Sequence, residues 1–335
     1  MKTKRPTVRD VAREAGVSYQ TVSRVINNDP HVAPETRDRV SEAIVRIGFR
    51  PNRAAQVFQT ERSHTLEAVI FYGGFNRFLF EMAHTAHVRG YHFSISAISE
   101  DEFYRSLESA SSRFVDGLLL IPKEALEVSF DELHRLTDGI PVVQIGAPLG
   151  ANVPSVIYAQ ALGARMAAQH LIDLGHRQIA EISGPLMNYD AHDRHSGWFD
   201  TLRENGLTPG KSTAGDYSLE SGYRAMIQLL DSGEPFTAVF VANDSMALGA
   251  STALRERGYR VPDDISLVGF DDIPEAEHFV PSLTTVRQDF NLMGKVAVDY
   301  LVRLIEQPDT PVQQTVLHPR LIVRSSTAPP RTSSI

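Results

Sequence analysis

The sequence predicts an α/β protein in two parts: an all-α helix-turn-helix head over residues 1–50 and a larger body of doubly wound parallel sheets over residues 64–330. Three observations carry this reading. Apolar residues recur at helical spacing through the first fifty positions, with breaks at Gly16 and Pro34. Beyond residue 64 short apolar runs alternate with helical patterns. Charge divides the same way: residues 1–62 hold 12 Lys and Arg against 7 Asp and Glu, a net +5, while the remainder carries −13 within an overall −8. A basic head on an acidic body is the pattern expected when only the head faces phosphates.

Composition narrows the classes further. A chain of 335 residues, 42% hydrophobic and 22% charged, has room for two or three globular domains and does not fit disordered or fibrous classes. With no cysteine, disulfides, thiolate metal sites and thiol nucleophiles are excluded. No apolar run approaches the length of a membrane span, and the basic start Lys2, Lys4, Arg5 leads into Pro6 and polar residues. The expected location is therefore the cytoplasm, with no membrane partner.

In the head, Val8, Val11, Ala12 and Ala15 form one stripe of a short helix that Thr7 can cap and Gly16 must end. Ser18 can cap a second helix with Val22, Val25 and Ile26 inward. Pro34 opens a third, whose Val40, Ala43, Ile44 and Ile47 cover the other two. The outward face of the second helix carries Tyr19, Gln20, Ser23, Arg24 and Asn27 without a carboxylate. Arg suits the two acceptors of guanine, Gln the donor and acceptor of adenine, and Tyr the methyl of thymine, so the helix suits a major groove. A plain solvated face on a helical bundle is the alternative.

Residues 51–63 read as a hinge helix and linker. Pro51 breaks the preceding helix and Asn52 can cap a short new one ending at Phe58. Too short to be stable alone, it suits an element that folds on DNA and wedges an apolar ring between minor-groove base steps. The alternative is a linker whose Phe58 packs on its neighbour.

In the body the apolar runs are Leu66 to Tyr72, Tyr91 to Ile98, Gly117 to Ile121, Pro141 to Ile145, Ile179 to Ser183, Ala238 to Ala242 and Ile265 to Gly269. Polar residues stand where several of them end: Arg194 beyond the fifth, Asn243 and Asp244 after the sixth, Asp271 and Asp272 after the seventh. Arg, Asn and Asp converging at strand ends can bind neighbouring hydroxyls, which points to a sugar or another small polyhydroxy ligand. For Asp244 and Asp272 a helix cap or ion pair is the preferred reading. The aromatic stretch Phe71 to Phe80 offers rings for a sugar face or a planar base; Phe75, beside Gly73 and Gly74, is the cleft candidate, whereas Phe71 and Phe80 read equally as core.

Together, Thr7-Val8-Arg9-Asp10-Val11-Ala12, Ala15-Gly16-Val17-Ser18-Tyr19-Gln20-Thr21-Val22-Ser23-Arg24-Val25-Ile26-Asn27 and Pro51-Asn52-Arg53-Ala54-Ala55 resemble the head of the lactose repressor (LacI/GalR) family of transcriptional regulators. The resemblance extends over nearly the whole chain through Leu174-Gly175-His176, Ser183-Gly184-Pro185, Gly197-Trp198, Ala242 to Gly249, Val268 to Asp272 and Leu283 to Gln288. It implies a body of two periplasmic-binding-protein-like lobes around one cleft, lobe one at about 64–160 and 289–320 and lobe two at about 161–288. It also implies a ligand-responsive regulator, expected to be a repressor, that binds a near-palindromic, lac-like operator as a homodimer.

By the same resemblance Tyr19, Gln20 and Arg24 would read bases, while Thr7, Ser18, Thr21, Ser23, Asn27, His31, Thr36, Asn52, Arg53 and Ala55 would serve the rest of the DNA contact, with Phe58 as the wedge. The family's usual wedge is Leu, so Phe58 departs from it. Arg194, Asn243 and Asp271 match effector contacts of the family, Tyr217 stands where the family's eponymous member stacks a Trp, and Gln288 sits at the second crossing between lobes. At Gly146 that member has a hydroxyl-binding Asp. The polar, Pro-broken end Ala328 to Ile335 lacks its leucine-heptad segment, so a dimer and not a tetramer is expected.

No cofactor and no metal are expected. His84 with His87 and His192 with His195 are i, i+3 pairs, read as solvated helix faces because no HExxH spacing accompanies them. No Walker A loop, GxSxG elbow or GxGxxG fingerprint exists, so the chain is not expected to be an enzyme. The effector is first a sugar, with a purine or another small molecule open. An enzyme of doubly wound fold with a DNA-binding head stands second, and a transport-type binding protein third.

Overall fold

The structure, a computed structural model, describes residues 6–26, 29–49, 62–71, 78–122, 129–146 and 153–331. The proposed DNA contacts Asn27, Asn52, Arg53, Ala55 and Phe58 and the cleft candidate Phe75 lie outside the described residues. The chain divides into two compact units, residues 1–63 and 64–335.

The first unit holds α1 (Val8–Ala15), α2 (Tyr19–Ile26) and α3 (Pro34–Ile47). At the start of α1, Thr7 donates from both its backbone N and its Oγ1 to the Asp10 carboxylate, at 2.9 and 2.7 Å. Gly16 ends the helix at φ +63°, a left-handed conformation that a side chain would strain. Ser18 Oγ accepts from the Thr21 backbone N at 3.1 Å and starts α2. Val11, Ala15, Val22, Val25, Val40, Ala43 and Phe49 close the core of the trio.

The second unit contains two six-stranded sheets. The first is ordered β11-β5-β4-β3-β1-β2, with β1 (Thr65–Phe71), β2 (His92–Ile98), β3 (Gly117–Ile121), β4 (Val142–Ile145), β5 (Ser155–Tyr158) and β11 (Gln314–Leu317), all pairs parallel. The second is ordered β12-β10-β9-β8-β6-β7, with β6 (Ile179–Ser183), β7 (Ser212–Ala214), β8 (Ala238–Val241), β9 (Ser266–Asp271), β10 (Thr284–Arg287) and β12 (Arg320–Ile322). It is parallel except where β10 meets β12. All seven apolar runs became strands.

Helices cover both faces of each sheet, as parallel strands buried on two sides require. On the first sheet, α4 (Leu79–Val88) and α11 (Phe290–Glu306) bury Met82, Ala86, Ala297 and Leu301 on one face. The opposite face takes Phe103 and Leu107 of α5 (Phe103–Glu108) and Leu133 of α6 (Phe130–Leu136). On the second, α7 (Gln160–Asp173) and α8 (Tyr189–Glu204) bury Leu171, Trp198 and Leu202. Met226 and Leu229 of α9 (Leu219–Asp231) join Met246 and Leu254 of α10 (Asp244–Glu256) on its other face. The chain crosses between sheets after Tyr158, after Arg287 and after Leu317; Arg320 already pairs in the second sheet. Each sheet reverses its strand order once, between β1 and β3 and between β6 and β8, and such switch points mark where ligands bind at carboxyl ends of strands.

Two sequence expectations are corrected here. Phe80 is neither core nor cleft: it is 88% exposed on the outer face of α4, beside the exposed His84. His195 is not a solvated helix-face residue, because α8 turns it inward, where its Nδ1 meets Glu181 Oε2 at 2.6 Å and the fully buried Glu181 also accepts from Ser212 Oγ. Its partner in spacing, His192, is exposed as expected.

Candidate recognition helix and ligand cavity

On α2 the inward positions are Val22 and Val25, which leaves Tyr19, Gln20 and Arg24 exposed on the opposite side and Thr21 and Ser23 half-buried. Arg24 Nε lies 3.8 Å from Asp29 Oδ2, close enough to orient the guanidinium without enclosing it, and its side chain stays 65% exposed. Asp29 also accepts from the His31 backbone N at 2.9 Å and meets the His31 ring at 3.0 Å. These contacts to His31 hold the Asp29 carboxyl below its ordinary value. Thr7, Ser18 and His31 are exposed around this face and Thr36 is half-buried. Chemically, the face offers donors, hydroxyls and one guanidinium to a partner at small desolvation cost.

In the second unit the carboxyl ends of both sheets surround a cavity of about 710 Å³. It brings together Arg194, Tyr217, Asn243, Asp271 and Gln288, the described candidates of the sequence. Its two walls differ. From the first sheet and its helices come Ile70, Phe71, Phe78, Ile121, Ile145, Phe290 and Met293, with Gly146 among them. From the second come Asn188, Asp190, Arg194, Asp216, Asn243 and Asp271, with Gln160 and Gln288 at the crossings.

The polar wall is a network. Arg194, 4% exposed, donates from Nε to Gln160 Oε1 at 2.9 Å and from Nη1 to the Ala242 carbonyl, lies 3.7 Å from Asp271 Oδ1, and sits 4.0 Å above the Phe270 ring. Gln160 Nε2 donates to Gln288 Oε1 at 3.0 Å, and Gln288 Nε2 to Asp271 Oδ1 at 2.7 Å. Asn243 caps α10 by accepting from the Met246 N at 2.9 Å, while its Nδ2 donates to the Tyr217 carbonyl at 3.1 Å. Tyr217 lies in the left-handed region at φ +70°, its ring against Gly184, where a Cβ would come within 2.5 Å. Burial pushes its phenol up to about 12.

The carboxylates around this wall are unequal. Asp216 is held down at about 2 by hydrogen bonds from Ser218 and Ser221. Asp190 is raised, by burial first and then by Asp271 and Asp193, against the pull of Arg194 and Gln160. Asp244, behind Asp271, is fully buried, accepts from Thr285 Oγ1 at 2.6 Å and Ile273 N at 2.9 Å, and is pushed up to about 8 by burial and by Asp271. Asp272 takes the ion-pair role expected of it, pairing with Arg324 at 2.7 Å and with Arg287.

Sequence reading missed Gln160, Asp190 and Asp216. A signal existed for Asp190, four residues before Arg194 and so on the same helix face. Gln160 and Asp216 carried none. Among the described residues no group of three or more His, Asp or Glu is placed to hold a metal, and no helix is long and apolar enough to cross a membrane.

Comparison with known proteins follows this division. Residues 7–52 match the family described as bacterial regulatory proteins, lacI family, and residues 168–327 match the periplasmic binding protein-like domain. The lactose operon repressor of Escherichia coli (strain K12) is 33% identical, covering 98% of this chain and 92% of its own. A crystal structure of the lac repressor dimer bound to operator and the anti-inducer ONPF superposes with a TM-score of 0.88 at 32% identity, covering 97% of this chain and all of that one. A complex of the transcriptional regulator CelR with cellobiose gives 0.71 at 35% identity, covering 96% of this chain and all of its own.

Proposed function

The chain belongs to the lacI family of bacterial regulatory proteins, and from that premise we propose a repressor whose two copies read a near-palindromic, lac-like operator under control of a sugar in the cavity. Tyr19, Gln20 and Arg24 set sequence, Thr7, Ser18, Thr21, Asn27, His31, Thr36, Asn52 and Arg53 hold the backbone, and Ser23, Ala55 and Phe58 complete the contact, with Phe58 in the minor groove. The observation that carries the reading is that one chain joins a carboxylate-free helix face to a cavity whose guanidinium is already buried and oriented.

A sugar is favoured because Arg194, Asn243 and Asp271 line the same cavity and can hydrogen-bond neighbouring hydroxyls, and because a relative of known structure holds cellobiose. The cavity is read as a binding site and not a catalytic one because the relatives the chain matches carry the names of transcriptional repressors and regulators. Sugar binding changes how the two lobes sit and so shifts operator affinity, a coupling of about 1–3 kcal/mol.

The test of the DNA reading is Arg24→Ala. Operator affinity should fall by about 1–3 kcal/mol with relaxed preference at one base step, measured by fluorescence anisotropy against operators changed one base at a time. Equal loss on scrambled duplex would refute Arg24 as a base reader.

A further inference from the structure

We propose that Asp190 makes the cavity selective for a hydroxyl-rich ligand that bears no anionic group, so that a neutral sugar is accepted and its phosphorylated or carboxylated derivative is refused. The inference rests on the sugar reading of the cavity and goes on to the residue that sets ligand class.

Asp190 stands in the first turn of α8, one turn before Arg194, and both line the cavity. The guanidinium is the one positive charge among the described lining residues, and it is already engaged by the Gln160 amide oxygen, the Ala242 carbonyl, the Phe270 face and Asp271. The amide N–H groups nearby are turned the same way, Gln160 toward Gln288 and Asp190, Gln288 toward Asp271. The described lining holds three carboxylates, Asp190, Asp216 and Asp271, against that one cation, with Asp193 and Asp244 close behind.

Such a wall presents acceptors. Sugar hydroxyls donate to carboxylates and match it. A phosphate or carboxylate on the ligand brings only more acceptors and more negative charge. The described residues of the opposite wall do not help an anion, since Ile70, Phe78, Ile121, Ile145, Phe290 and Met293 can solvate none of its charge. Burial first, and then Asp271 and Asp193, raise the Asp190 carboxyl against the pull of Arg194, so a ligand anion placed beside it adds one more negative charge that only the uptake of a proton would relieve. Asp190 is the member of the set that can be changed by itself, because Asp216 is tied by Ser218 and Ser221 and Asp271 also holds the Gln288 crossing, whereas Asp190 answers to Gln160 and Arg194 on its own side of the cavity.

The experiment is isothermal titration of the full chain with glucose, galactose and cellobiose, each beside glucose 6-phosphate, galacturonate and cellobionate. The wild type should bind at least one neutral sugar and bind its anionic counterpart at least 100-fold more weakly. Asp190→Asn, which keeps size and an acceptor for Gln160, should narrow that ratio at least tenfold, and Asp190→Glu, which keeps the charge, should preserve it. Should Asp190→Asn unfold, Asp190→Ser takes its place, with thermal midpoint as the check on folding. Anionic probes bound as tightly as neutral ones, or a ratio that Asp190→Asn leaves unchanged, would overturn the inference and leave the sugar reading standing. No heat with any of the six probes would overturn both.

Discussion

The outward face of α2 and the cavity of the second unit use some of the same residue types in opposite states. Arg24 keeps 65% of its side chain in solvent beside a single carboxylate, whereas Arg194 is 4% exposed and tied to Gln160, Ala242, Asp271 and Phe270. An exposed guanidinium needs little from the fold and can be handed whole to a partner. A buried one must be compensated before any ligand arrives, so cavity and fold share the same contacts. The difference teaches that the head separates binding from stability, while the body cannot.

That contrast can be broken at Asp272, where the largest effect is expected. Asp272→Ala leaves Arg324 and Arg287 facing each other without the carboxylate between them, and should cost the second unit about 3 kcal/mol in urea denaturation. A loss below about 1 kcal/mol would show that the edge of the cavity is not built into the fold. Next in size, Ser18→Ala removes the acceptor for the Thr21 N–H and should cost the head about 1 kcal/mol, followed by helix signal in residues 1–63. Arg24→Ala, despite the large effect proposed for it on DNA, should change stability by no more than about 0.5 kcal/mol.

The smallest effect is a drift with pH. The hydrogen bond that His195 donates to Glu181 raises its imidazole above the ordinary 6.5. A raised folded value means that this stabilisation is complete below about 6.5 and is lost as pH rises through the folded value. Burial lowers His176 and His170, so their contribution is complete above 6.5 and is lost as pH falls through their folded values. The thermal midpoint of the body should therefore decline on both sides of neutrality, and because the raised Asp244 also loses stabilisation as pH rises toward about 8, His195→Leu should shrink the alkaline arm and not abolish it. An alkaline arm left unchanged by His195→Leu would assign it wholly to the buried carboxyls.

Legibility in the sequence followed the same division. The three helices of the head, their caps at Ser18 and Gly16, and the outward trio Tyr19, Gln20, Arg24 were readable because local spacing decides which side of a short helix is buried. The seven apolar strands were readable because each is a short, mostly apolar run. The strands β5, β7, β10, β11 and β12 were not: Ser212-Thr213-Ala214 and Arg320-Leu321-Ile322 are three residues each, too short for a pattern. In the cavity, Arg194, Asn243 and Asp271 showed themselves by standing beyond strand ends. Gln160 and Asp216 did not, because only the packing of α7 and the turn before α9 brings them to the wall. Glu181, a carboxylate inside an apolar run, gave no hint that a histidine fourteen residues later would neutralise it.

The central claim is that two separate sites in one chain are coupled, and one titration tests it most directly. Operator affinity is measured by anisotropy with and without a saturating neutral sugar, in the wild type and in Asp271→Ala. The account predicts that sugar shifts the wild-type midpoint by about 5- to 150-fold, while Asp271→Ala binds operator as tightly as wild type and no longer responds. A midpoint that no ligand in the sugar panel moves, or an Asp271→Ala chain that still responds at the wild-type ligand concentration, would contradict it.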